Sequence, residues 1–105
     1  LFNEFISLGI EDIYCLAVND VFVLKAWLSS FTNGNLINGI ADGNGELTKA
    51  MDLEMDYSGN FMGIRCKRFA LIASNNVVDT LYVEKKGEFL VSSAEYVLEN
   101  FFIKL

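Results

Sequence analysis

Ile13-Tyr14-Cys15-Leu16-Ala17-Val18-Asn19-Asp20-Val21-Phe22-Val23-Leu24-Lys25-Ala26-Trp27 reads as a strand that turns directly into a helix. Ile13 to Val18 is an unbroken apolar run, the pattern of a buried parallel strand rather than of a half-solvated one. Asn19-Asp20 then supplies a helix N-cap, since a short side-chain oxygen can accept the unpaired N–H groups of a first turn. Phe22, Val23, Ala26, Trp27 and Phe31 continue at helical spacing.

The same grammar extends to both sides. Phe2, Phe5 and Ile6 lie on one helical face ahead of the strand, and Gly9 fits the C-cap of that helix. After the polar loop 32–38, Leu36, Ile37 and Ile40 suggest a short strand ending at Ala41-Asp42. The turn residues Asp42-Gly43 and Asn44-Gly45 lead into a helix carrying Leu47, Ala50 and Met51. Residues 52–62 show no period and read as a loop. Lys67 to Ala73 is the next strand, Ser74-Asn75-Asn76 a turn, and Val77 to Val83 its antiparallel partner. Lys85-Lys86-Gly87 reads as a solvated turn. Ser92, with Glu95 three residues on, forms a capping box for a last helix whose stripe is Ala94, Val97, Leu98, Phe101, Phe102 and Leu105. Alternating helices and strands followed by a hairpin predict an α/β sandwich with a mixed sheet. Neither a repeat nor a linker interrupts residues 1–105, which read as a single domain.

Composition narrows the function. The chain has 105 residues, 52% of them hydrophobic, which argues against disorder, and no apolar run approaches a membrane span. With a net charge of −6 and no basic stripe, nucleic-acid binding is disfavoured. There is no His, so hydrolases that use a His base are excluded, and zinc is disfavoured because no CxxC pair exists either. The Asp42-Gly43-Asn44-Gly45 run resembles a calcium loop but lacks its ligand spacing and terminal Glu. The two cysteines, Cys15 and Cys66, sit in apolar surroundings, as reduced intracellular cysteines do, without fixing a compartment. No proline occurs, where about 5% is usual, and nothing physical in the sequence explains it.

Four stretches in order carry a family resemblance. Cys15 to Asp20, followed by Lys25-Ala26-Trp27, is similar to a C-x-S-V-N-D strand end and a helix ending in K-A-W. Ala41 to Ala50 matches A-D-G-N-G-x-x-T-K-A. Gly63 to Ala70 matches G-x-R-S-x-R-[FY]-A, with Cys66 in place of Ser. Val91-Ser92-Ser93-Ala94-Glu95 matches V-S-S-A-E. On these residues the chain resembles the type II, or peroxiredoxin-V (redoxin), branch of the peroxiredoxins over roughly residues 9–100. Val21 departs from the usual Pro, a favourable but dispensable first-turn residue.

The resemblance implies a thioredoxin-like fold and thiol-dependent reduction of hydrogen peroxide and alkyl hydroperoxides through a cysteine sulfenic acid. It implies no cofactor, thioredoxin or glutaredoxin as electron donor, a peroxide substrate and a homodimer. A thiolate at neutral pH needs a fixed cation, and a guanidinium's fork of donors suits sulfur and peroxide oxygens together. Arg68 matches the family's active-site arginine; read from its residues alone it is a surface arginine on a strand edge. Arg65 and Lys67, an odd number of positions away, belong to a solvated face or a subunit contact. Cys15 aligns with a cysteine that resolves the sulfenic acid in some members, and it also fits as a small buried hydrophobe at a strand end. Cys66, by strand alternation on the face of Arg68, is either a thiol near that cation or a small residue filling a tight site.

The family's P-G-A-F-T-P-x-C-S segment, with the attacking cysteine, is not among these residues. In the fold that the resemblance implies, the strand before that cysteine lies centrally, between the strands at 13–18 and 67–73. The expectation is therefore the C-terminal two-thirds of a peroxiredoxin domain, its sheet incomplete on the N-terminal side and residues 1–105 unstable as an isolated monomer. The competing reading is a non-catalytic thioredoxin-like interaction module.

Overall fold

The computed structural model describes residues 1–104, and the side chains of residues 1–101. Contacts gather into two compact units: residues 10–66, and residues 1–9 together with the chain from Lys67 onward.

In the unit of residues 10–66, β1 (Tyr14–Ala17) runs into α2 (Val21–Ser29). A shorter helix, α1 (Phe2–Ser7), precedes β1 in the chain and belongs to the other unit. Asp20 caps α2, its Oδ1 accepting the Val23 N–H at 2.8 Å, as the sequence predicts. A 3₁₀ turn at Gly34–Leu36 leads back to β2 (Asn38–Ala41), which pairs in parallel with β1. This is a strand–helix–strand unit. Leu24, on the inward face of α2, is 4% exposed. A methyl group at Gly39 of β2 would crowd Leu24, so the missing side chain lets the helix settle on the strand. Then come α3 (Glu46–Ala50), β3 (Glu54–Asp56) and β4 (Ile64–Cys66). The two strands pair antiparallel, Met55 opposite Arg65. The expected structureless loop at 52–62 therefore contains a strand and a 3₁₀ turn at Ser58–Asn60. At three residues each, β3 and β4 are too short to show a period.

In the other unit, β5 (Phe69–Ser74) and β6 (Val77–Val83) form the expected hairpin. Both of its turn residues, Asn75 and Asn76, have positive φ, as a two-residue primed turn demands and as Asn tolerates. The strand anticipated at 67–73 begins at Phe69, so Arg68 stands just before β5. The last helix, α4 (Ala94–Lys104), presents Val97 to the interior, 7% exposed. The ring of Tyr96 meets Tyr82 of β6 edge-on at 5.2 Å. Of the predicted apolar stripe, Val97 is buried, Leu98 and Phe101 are half-buried and Ala94 is exposed; Phe102 and Leu105 lie outside the described side chains. The cap is Ser93 rather than Ser92: Ser93 Oγ accepts the Tyr96 N–H at 3.1 Å.

Among the described residues the strands form three two-stranded sheets, one parallel and two antiparallel. Among the described residues no helix is long and apolar enough to cross a membrane.

Candidate active site

Arg68 is held at its backbone and open at its tip. Its carbonyl accepts the N–H of Glu84 at 2.9 Å, carrying the β5–β6 ladder one step beyond the strand ends. Its side chain is exposed, and the guanidinium carbon lies 5.5 Å from the centre of the Phe89 ring. That is cation–π distance. Among the described residues no carboxylate lies within ion-pair distance of this guanidinium, so its charge is unmatched.

Phe89 sits on the loop between β6 and α4, and one buried carboxylate closes that loop. Glu84 is 6% exposed. Its Oε2 accepts the N–H groups of Val91 and Ser92, both at 2.9 Å, and the Ser92 hydroxyl at 2.6 Å. Burial pushes this carboxyl up. Hydrogen bonds from the Ser92 hydroxyl and from the N–H groups of Leu90, Ser92 and Val91 outweigh it and hold the group at about 2. The bond to Glu84 also explains why Ser92 is not the helix cap. Glu84 was not among the sequence candidates, because Val83-Glu84-Lys85-Lys86 looks like a solvated charge run. Strand alternation held the clue: Thr80 is buried and Tyr82 half-buried, so Glu84 falls on the inward face.

Cys15 lies on β1, half-buried, in a cleft of about 280 Å³ that it lines with Leu16, Asn19, Val23 and Trp27. Burial raises its thiol above the usual range. Cys66 is the last residue of β4 and does not share a strand with Arg68, because the chain breaks strand geometry at Lys67-Arg68. The alternation that placed both on one face therefore does not apply. The surroundings of Cys66 are Thr48 and Asp42. Burial raises its pKa, the negative charge of Asp42 does the same, and the contact with the Thr48 side chain offsets only part of this. A thiol so placed is not activated.

Asp42 itself is committed to structure. Its two oxygens accept the Leu47 N–H at 3.1 Å, the Thr48 N–H at 2.8 Å and the Thr48 hydroxyl at 2.7 Å, capping α3 in place of Gly45, which has no side chain to do so. The bonds from Thr48 keep it below the usual carboxylate range against the effect of burial. Arg65, expected on a solvated face or a subunit contact, is engaged by backbone. It is half-buried, donating from Nε to the Met62 carbonyl at 2.8 Å and from a terminal nitrogen to the Val18 carbonyl at 3.3 Å. Its guanidinium ties backbone together within its unit, the bond to Met62 at the surface and the bond to Val18 partly covered.

The redoxin family profile matches residues 1–98. The chain is 45% identical over 97 residues to peroxiredoxin-2D of Arabidopsis thaliana, covering 92% of this chain and 60% of that protein. It is 42% identical over 101 residues to the peroxisomal membrane associated protein 20 of Schizosaccharomyces pombe, covering 93% of this chain and 65% of the relative. Reduced Prx3 of Vibrio vulnificus in complex with hydrogen peroxide superposes with a TM-score of 0.91 at 42% identity, over 97% of this chain and 62% of that one. The fold is thus mixed α/β and thioredoxin-like, shared with peroxiredoxin structures. The chain belongs to the redoxin family, in its peroxiredoxin branch. It spans about 60% of the length of curated relatives such as peroxiredoxin-2D.

Proposed function

We propose that the protein containing these residues is a thiol-dependent peroxidase acting on hydrogen peroxide and alkyl hydroperoxides. The attacking cysteine would be contributed by polypeptide outside residues 1–105. A thiolate attacks the terminal peroxide oxygen, the O–O bond breaks, and the leaving oxygen takes up a proton to become water or an alcohol. The cysteine is left as a sulfenic acid, two electrons oxidised. A second thiol condenses with it, releasing water and forming a disulfide, which a thioredoxin or glutaredoxin dithiol then reduces. Cys15 is the candidate for that second thiol within this chain. Its raised pKa slows it as a nucleophile until a partner or a local opening exposes it.

Arg68 is the residue we assign to the thiolate and to the peroxide oxygens. The observation that carries the proposal is its exposed guanidinium, without a carboxylate partner among the described residues and steadied on Phe89, in a chain matched to the redoxin family over residues 1–98. A preorganised donor aimed at developing negative charge is worth roughly 10²–10³-fold in rate. Peroxide consumption by the whole protein, with thioredoxin or glutaredoxin and their reductases supplied, tests it. Arg68→Ala is expected to lose activity on that scale. Unchanged activity would remove Arg68 from the site, and a wild type that consumes no peroxide would favour the non-catalytic module. The homodimer is part of the same proposal, checked by sedimentation.

A further inference from the structure

We infer that Glu84 is a positioning residue for Arg68: one buried carboxylate closes the loop that carries Phe89, while the same residue's N–H holds the Arg68 carbonyl. The inference rests on the peroxidase reading for its catalytic consequence, though not for its geometry.

An arginine side chain on a surface explores many rotamers, and a catalytic cation must occupy few. Nothing charged restrains the Arg68 guanidinium among the described residues; its support is the Phe89 ring at 5.5 Å. That ring is itself 59% exposed, so side-chain packing restrains it only in part. What fixes it is the loop closure. The chain leaves β6 at Val83 and returns at Val91 and Ser92, whose N–H groups and hydroxyl converge on Glu84 Oε2 at 2.9, 2.9 and 2.6 Å. Backbone donors satisfy the carboxylate, which explains how it stays buried without an arginine partner. It can therefore order the loop without neutralising Arg68. A carboxylate bound directly to the guanidinium would hold it equally well but would cancel the charge that a thiolate needs.

The test uses the whole protein and two readouts. Ring current from Phe89 shifts the proton resonance of the Arg68 Nε–H group; Arg68→Lys assigns that signal, and Phe89→Leu sets its unstacked position. Glu84→Ala is expected to move the signal to the unstacked position and to lower kcat/KM for hydrogen peroxide on the order of 10- to 100-fold, the scale of a displaced catalytic group. Glu84→Gln retains an acceptor oxygen at the same reach and is expected to restore most of both. Should Glu84→Ala fail to fold, Ser92→Ala decides, since it deletes only the 2.6 Å bond and is expected to give an intermediate shift. An unmoved signal in the folded variant overturns the inference, as does a moved signal with unchanged kcat/KM. If the wild type reduces no peroxide, the peroxidase reading fails, and the Arg68 signal alone then judges whether Glu84 positions it.

Discussion

Cys66 and Glu84 show how a residue's neighbours override its type. Cys66 is a thiol in the chain's most cation-rich motif, yet what surrounds it is a buried carboxylate and a threonine. Both thiols titrate above their ordinary value of 9.0. At pH 8 Cys15 and Cys66 should therefore react with iodoacetamide more slowly than free cysteine; labelling at the free-cysteine rate, followed by peptide mass spectrometry, would contradict the raised pKa values. Glu84 behaves in the opposite sense. Its folded pKa of about 2 lies below the ordinary 4.5, so the unfolded chain binds the extra proton first. The stability it contributes is complete above about pH 4.5 and is lost as pH falls through 2. Urea midpoints of the whole protein measured between pH 2 and 5 should rise with pH, and Glu84→Gln should flatten that rise. Asp42, also depressed, keeps a remaining slope in the variant.

At the scale of elements, caps and turns decide the boundaries. Asp20 accepts one of the orphan N–H groups of α2, and Asp20→Ala should cost about 1 kcal/mol, read as a shift in the denaturation midpoint of the whole protein. Gly34 is a stricter case: a Cβ there would run into the Leu28 carbonyl oxygen. Gly34→Ala should cost roughly 1–3 kcal/mol, the range for overpacking in a site that cannot yield. The features written in local chemistry were legible in the sequence: the Asp20 cap, the Asn75-Asn76 turn, the β1–α2–β2 unit and the β5–β6 hairpin. What escaped depends on distant partners. The pairing of β3 with β4 joins Met55 to Arg65 across a loop, and three residues carry too little pattern to announce it. The break at Lys67-Arg68 separates two strands that read as one motif. Ser93 displaces Ser92 as the cap because Glu84, eight residues earlier, already holds Ser92. Of the candidate site, Arg68 and Cys15 were legible only through the family motifs. Glu84 was hidden because its partners are backbone N–H groups, which no side-chain pattern reports.

For the whole molecule, the balance of buried and exposed surface is the main fact. Among the described residues only Leu24, Leu53 and Val97 are apolar and buried, while Phe22, Trp27, Phe31, Phe61, Phe89 and Leu90 are more than half exposed. With whole-domain stabilities of only about 5–15 kcal/mol, so few buried apolar residues leave little margin. Residues 1–105 prepared alone should bind a hydrophobic dye and unfold without a sharp transition in urea; a cooperative monomeric transition would contradict this. Trp27 is the single tryptophan in the chain and borders the cleft that holds Cys15. Within residues 1–105 its emission is therefore an optical gauge of that cleft: under the resolving role proposed for Cys15, sulfur–sulfur bond formation there should change the part of the emission that a Trp27→Phe variant loses, timing the step by stopped flow without an attached label.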